Sequence, residues 1–385
     1  MKGDLGSAKS EMRNALKLSP SMDKARLSLA ALSFRLQDYV SAIRETKKVL
    51  ERYPTHPGAT LLAADIYLAQ KDIEEAGEYF GKFTKLFPKD PQGWVGLGRV
   101  GIAKKNIKEA LEYFEKALSV SPDNLEVLTF ITSIYMAEKQ SEKAIDRVKR
   151  QITVSQSNPY YYNLLGKLFQ AVKNFDKAEG AYKKAIEINK DFLAAYMALG
   201  NLYVVNDKQN KAIESYNDVI KIKPDIVDPY MFLGNIYEKQ GDMDEAKKYY
   251  QKVLKINPEF APAANNLAWI YSEHGGDIDE ALSLAQMARE KLPNDPGISD
   301  TLGWIYYKKG LSNTATPFLE ESAEKIKNNP IVHYHLGMAY YKSGEKEKAK
   351  EQLSASLAIN NEYEGAVEAQ KTLELLNQAD SNSEE

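Results

Sequence analysis

The sequence contains no cysteine. Disulfides, thiolate nucleophiles and cysteine-bound metals are thereby excluded, and an oxidising compartment is allowed without being indicated. No apolar run reaches the roughly 18 residues that a helix needs to cross a bilayer, so no membrane insertion by this segment is expected. The opening residues, MKGDLGSAKS, lack the apolar core of a secretory signal. An excess of charge of one sign is also lacking. Lys and Arg number 51 against 54 Asp and Glu, a net of −3, and no basic run could line phosphates, so nucleic acid is not an expected partner. Only four histidines occur, and His333 and His335 are two apart, which puts them on different faces of a helix. A zinc pair would take the i, i+4 spacing, so no metal is expected. Nucleophile elbows, phosphate loops and paired acids are missing too. The chain reads as non-enzymatic, with no cofactor.

What is present is one unit, clearest in residues 227–260. Tyr230, Leu233, Gly234 and Tyr237 share one helical face. After a break at Gly241 and Asp242, Ala246, Tyr249, Tyr250, Val253 and Leu254 share another. Asp242 or Asp244 can cap the second helix, and Pro258 stops it. The result is a helical hairpin whose small residues, Gly234 and Ala246, mark where the two helices approach. The unit recurs with a period of 34: Gly166, Gly200, Gly234, and again Gly303 and Gly337. Each of these glycines follows a leucine. Each precedes by three an aromatic: Phe169, Tyr203, Tyr237, Tyr306 or Tyr340. An alanine stands nine further on: Ala178, Ala212, Ala246, Ala315 or Ala349.

This period and pattern resemble the tetratricopeptide repeat family. The resemblance implies an all-α fold, a right-handed α-α superhelix of about ten hairpins closed by a C-terminal capping helix. Residues 1–22 read as the second helix of an incomplete repeat, from which Met1 is not expected to be the natural start. Residues 23–363 read as ten units, 364–377 as the capping helix and 378–385 as a disordered acidic tail. In the fourth unit Thr132 replaces the glycine, the eighth carries an extra residue near His274–Asp277, and Pro317 in the ninth predicts a kinked or shortened helix. Gly96, Gly98 and Gly101 match the dinucleotide fingerprint, but no strand precedes them and Gly98 is in phase with the repeat, so they read as structural.

In that family the first helix of each hairpin lines a concave groove through the second, fifth, ninth, twelfth and thirteenth places. Those places hold Asn201, Met231, Asn235, Asn265 and Trp269 here. The last two units add Asp300, Trp304, Tyr307, Lys308, Tyr334, Met338 and Tyr341. Asn235 and Asn266 occupy the positions of the asparagine pair with which some members grip a peptide C-terminus. The cations that accompany that pair are replaced by Gly297 and Thr301, so an internal protein or peptide segment is the expected ligand. Tryptophan and tyrosine in the last repeats suit such a partner, and Trp269 and Trp304 are expected to face it.

The C-terminal stretch, including NNLAWIYSEHGGDIDEALSLAQ and VHYHLGMAYYKSGEKEKAK, resembles bacterial repeat proteins of exopolysaccharide and exosortase (PEP-CTERM) systems. That likeness implies a scaffold in bacterial envelope or exopolysaccharide assembly, in the periplasm or at a membrane, with the cytoplasm as the alternative. Two other readings stay open at this point: the recruiting arm of a larger enzyme, and a structural scaffold that self-associates.

Overall fold

The computed structural model describes residues 2–381, and every described element is an α-helix. Contacts divide the chain into two compact units, Met1–Ala198 and Leu199–Glu385, with the boundary inside a helix. The first unit contains α1 (Lys2–Leu18), α2 (Asp23–Arg35), α3 (Tyr39–Arg52), α4 (Pro57–Ala69), α5 (Ile73–Leu86) and α6 (Pro91–Ala103). It continues through α7 (Ile107–Val120), α8 (Leu125–Ala137), α9 (Ser141–Val154), α10 (Pro159–Ala171) and α11 (Phe175–Ile188) to the boundary helix α12 (Leu193–Val205). The second unit contains α13 (Gln209–Ile222), α14 (Val227–Lys239), α15 (Met243–Ile256), α16 (Ala261–Glu273) and α17 (Ile278–Lys291). It ends with α18 (Pro296–Lys308), α19 (Ser312–Lys325), α20 (Pro330–Ser343), α21 (Lys346–Ile359) and α22 (Ala366–Ser381). The architecture is an all-α solenoid of helical hairpins, from α2–α3 to α20–α21, with α1 against the first and α22 against the last.

Local chemistry sets the hairpin. First helices start at a proline whose missing N–H costs nothing there, as at Pro57, Pro91, Pro159, Pro296 and Pro330. The side chains of Asp90, Asn124, Asn158, Asp295 and Asn329 accept from the free N–H groups of the first turn. The turn into the second helix closes when a backbone N–H reaches five residues back, in most repeats to the carbonyl of an aromatic residue. Asn174 donates to the Phe169 carbonyl at 2.8 Å, and Asp242 to that of Tyr237 at 2.9 Å. That closure forces a left-handed residue, which is glycine at Gly241, Gly310 and Gly344, and Gly275 in the longer turn of the eighth repeat is left-handed as well. At the same place in earlier repeats stand Gln37, Lys71, Lys105, Lys139, Lys173 and Asp207, with φ between 53° and 65°. Asp242 caps α15 by accepting from Glu245 N–H at 3.1 Å, which decides between the two aspartates considered from the sequence.

Packing repeats with the same period. The alanines of the second helices, Ala42 to Ala349, are fully buried in all ten hairpins. Four residues later a large side chain enters the space over the first-helix glycine. Rings of Tyr182, Tyr216 and Tyr250 lie so close to Gly166, Gly200 and Gly234 that a Cβ there would sit 2.4 or 2.5 Å from ring carbon. Leu319 and Leu353 fill the same space over Gly303 and Gly337. Where Thr132 takes the glycine's place, the residue four after the alanine is the smaller Val148, and both are buried. Ion pairs tie successive second helices: Arg147 to Glu115 across α7 and α9, Arg289 to Glu321 across α17 and α19.

One expectation narrows and another changes. Helix α19 keeps its full 14 residues through Pro317, so the proline does not shorten it. It leaves one carbonyl without its helical donor, a cost the packing of Leu319 and Ala315 outweighs. Helix α22 runs on to Ser381, so residues 378–381 are helical, while 382–385 lie outside the described residues.

Candidate functional site

Within the second unit the first helices stand side by side, α16 against α18, α18 against α20 and α20 against α22. Side chains in the groove places therefore meet their counterparts one repeat away. Asn201, Asn235, Trp269, Trp304 and Met338 all occupy the ninth place of their repeats, and the structure divides them into two regions with different chemistry.

The first region is amide and phenol. Tyr216 and Tyr250 have buried rings whose hydroxyls reach through to the groove side. Tyr216 donates to Asn201 Oδ1 at 2.6 Å, and Tyr250 donates to Asn235 Oδ1 at 2.8 Å. In the first unit Tyr182 likewise donates to Gln170 Oε1 at 2.8 Å. Burial pushes the Tyr182 phenol up to about 12, and it raises Tyr216 and Tyr250 as well, with Glu238 adding to the effect on Tyr250. These hydroxyls stay protonated donors. Asn235 and Asn266 are brought together, Asn266 Nδ2 lying 3.5 Å from Asn235 Oδ1 and 3.1 Å from the Tyr250 hydroxyl. The same hydroxyl also contacts the Glu238 carboxylate, so the Asn235 carbonyl and that carboxylate share its one proton. Asn265 donates to Asn266 Oδ1 at 3.4 Å, and its own Oδ1 is buried with no partner. The Asn235 amide nitrogen remains free among the described residues, so a donor faces the groove. Met231 is half-buried against the core beneath this row.

The second region, over repeats eight to ten, is aromatic and acidic. Trp304 was expected to present its ring to a partner, but it is only 6% exposed. Its faces are covered by Tyr307 (4.6 Å between centroids, 11° between planes) and His335 (3.9 Å, 17°). Its Nε1 donates to Glu273 Oε1 at 2.8 Å. Tyr334 and Met338 are buried as well. The capping helix supplies the reason for Tyr334: its hydroxyl donates to Glu368 at 2.6 Å, and Gly365, with φ of +99°, lies against its ring. Trp269 and Tyr307 are half-buried, and Tyr341 and Lys308 are exposed. Asp300 accepts from His335 Nδ1 at 2.9 Å, and Lys308 pairs with Glu273 at 2.8 Å. Of these side chains all but Asp300, Met338 and Tyr341 surround a cleft of 320 Å³ lined also by Ile331, Glu364 and Gly365. Sequence reasoning missed His335 and the two glutamates. His335 occupies the repeat place of Asn266, a signal available from the phase, whereas Glu364 and Glu368 come from outside the repeats.

Among the described residues no group of three or more metal-ligating side chains comes together, and no helix is long and apolar enough to cross a membrane.

Comparison with known proteins follows the same period. Family profiles described as tetratricopeptide repeat match residues 33–97, 102–168, 159–192, 227–260, 249–283 and 330–369, and one described as TPR repeat matches 200–241. Among solved structures, the Cut9–Hcn1 hetero-tetramer of the APC/C is similar in fold, with a TM-score of 0.50 and 14% identity over 98% of this chain and 94% of that one. MamA is 30% identical over 43% of this chain and 97% of its own, with a TM-score of 0.36. A tetratricopeptide repeat protein from Parabacteroides merdae is 18% identical over 66% of this chain and 98% of its own, with a TM-score of 0.44. No curated protein matches.

Proposed function

This chain belongs to the tetratricopeptide-repeat family, and from that membership we propose that it is a non-enzymatic scaffold that holds a protein segment along the first helices of repeats seven to ten. Proteins of this family are generally non-catalytic and bind protein or peptide partners. The observation that carries the proposal is one row of accessible groups: the Asn235 amide, then Trp269, Tyr307 and Tyr341. An amide can hold an extended backbone whatever its sequence. The rings add broad apolar area with a polar edge and little side-chain freedom to lose. Selection from a displayed peptide library against the whole chain tests this. Selected peptides should lose about 2 kcal/mol or more of affinity on Tyr341→Ala or Trp269→Ala, the scale of a hot spot. Unchanged affinity in both, and in Asn235→Ala, would place binding elsewhere. Trp304→Ala is unsuitable for this purpose because the ring is core.

The narrower reading, bacterial envelope or exopolysaccharide assembly in the periplasm or at a membrane, rests on the C-terminal sequence likeness. Fractionation of native cells with cross-linking tests it, and recovery only with cytoplasmic partners would overturn it. Self-association is favoured by a separate observation: Leu18, Met22 and Val40 expose apolar side chains around α1–α3. A mass in solution that stays monomeric at rising concentration would exclude it.

A further inference from the structure

The cleft at the end of the second unit has a chemistry narrower than peptide binding requires. We propose that it receives an arginine side chain of the bound segment; this rests on the scaffold reading above and gives it a ligand class. At 320 Å³ the cleft lies at the low end of ligand pockets, which run from about 300 to 1,000 Å³, so it suits a single side chain. Among its described lining residues Glu273, Glu364 and Glu368 are acidic and Lys308 is basic. Lys308 is engaged already, with Glu273 at 2.8 Å and the Ser272 carbonyl at 2.9 Å. Glu368 accepts only the Tyr334 hydroxyl among described contacts, and Glu364 is exposed at the rim. Two carboxylates are therefore available to one incoming cation.

An independent observation points the same way. The His335 side chain is 7% exposed and lines the cleft. Its Nδ1 faces the Asp300 carboxylate at 2.9 Å, while Nε2 has no partner among the described residues. In the neutral ring a proton on Nδ1, toward the carboxylate, makes Nε2 an acceptor at the cleft wall, open to an N–H donor. The rings nearby already draw cations: Lys308 lies 5.8 Å from the Trp304 centroid and Lys342 lies 5.2 Å from that of Tyr307. Acceptors, carboxylates and aromatic edges together select a planar cation with several donors. Guanidinium meets two carboxylates as a fork and stacks on rings, whereas an ammonium is a point charge with three donors. Acidic or phosphorylated side chains are repelled by the same glutamates.

The test uses the whole chain and three blocked tripeptides, acetyl-Ala-Xaa-Ala-amide, in which Xaa is arginine, lysine or citrulline. Citrulline keeps arginine's shape and loses its charge. Indole N–H resonances of Trp269 and Trp304 report binding. The arginine peptide is expected to shift them saturably, the lysine peptide more weakly and the citrulline peptide not at all. The double variant Glu364→Gln, Glu368→Gln, whose positions are exposed, should weaken the arginine peptide at least about tenfold at an unchanged melting temperature. Equal binding of citrulline and arginine, or an unaltered double variant, would overturn the proposal. Library-selected peptides that lack arginine and bind both forms alike would remove this inference and leave the scaffold reading standing. A saturable arginine shift with no peptide selected would support the cleft while removing the scaffold reading.

Discussion

A methyl group at Gly180 would meet nothing within 4 Å, whereas at Gly101 it would meet the backbone of Ala110 at 2.9 Å. Both glycines lie inside helices, where glycine costs about 0.5–1 kcal/mol against alanine. Gly180→Ala should therefore stabilise the chain by up to about 1 kcal/mol. Gly101→Ala should destabilise it by about 1–3 kcal/mol, because backbone cannot move aside as a side chain can. Urea denaturation of both variants checks the pair, and a stable Gly101→Ala would show that α6 and α7 can part without cost. The left-handed turn residues give the opposite substitution. Lys105 has φ of 59°, a conformation costing about 1–2 kcal/mol in any residue with a Cβ. Lys105→Gly should recover up to about 1 kcal/mol of that, since glycine loses extra freedom on folding. These positions were not legible in the sequence, because lysine carries no sign of φ. Gly241 was legible because glycine does.

Helices inherit these differences. Four glycines in α6 lower its intrinsic helicity, yet each admits a neighbour: Gly93 meets Phe83 and Thr84, Gly96 meets Phe80, Gly98 meets Phe114 and Gly101 meets Ala110. Packing holds the helix, while propensity sets how readily it opens locally. Amides of residues 93–103 should exchange faster than those of 230–239 in α14, and equal protection would show that packing alone decides. The second helices are joined by charge as well as by alanines. Arg289 and then Lys325 hold the Glu321 carboxyl below its ordinary value of 4.5. A lowered carboxyl contributes stability that is complete above that ordinary value and is lost as pH falls through the folded one. Stability should therefore fall on acidification below about pH 4.5, and Glu321→Gln should flatten that slope and cost roughly 1 kcal/mol or less at neutral pH. Denaturation midpoints of both forms from pH 7 to pH 3 measure it. At this scale the sequence was most informative: periodicity pointed to an all-α array of hairpins, because buried positions must recur when each unit packs on a copy of itself. It was least informative in the proposed groove row. Phase identified Trp304 and Met338 as groove positions, but not that His335, Tyr307 and the neighbouring repeats would cover them. Exposure depends on what stands one repeat away, and α22, which bears Glu368, obeys no repeat.

The whole chain is held by contacts that reach about one repeat. Tyr161 donates to the Pro122 carbonyl 39 residues away, and Lys308 to that of Ser272 36 residues away. A linear array built this way transmits damage to neighbours first and weakens with distance. Trp304 provides the sharpest case. It is buried, stacked on both faces and hydrogen-bonded through Nε1 to the preceding repeat. Trp304→Ala should cost about 3–5 kcal/mol in the repeats that touch it, the range for a large core aromatic. Hydrogen exchange should then accelerate in α16 to α22 and stay unchanged in α4 to α10. The cleft, and with it the proposed arginine binding, should be lost too, since His335 would keep Asp300 but lose the ring it stacks on. Uniform loss of protection along the chain would instead make the array a single cooperative block. The proposed partner-binding surface could then not be tuned at one end independently of the other.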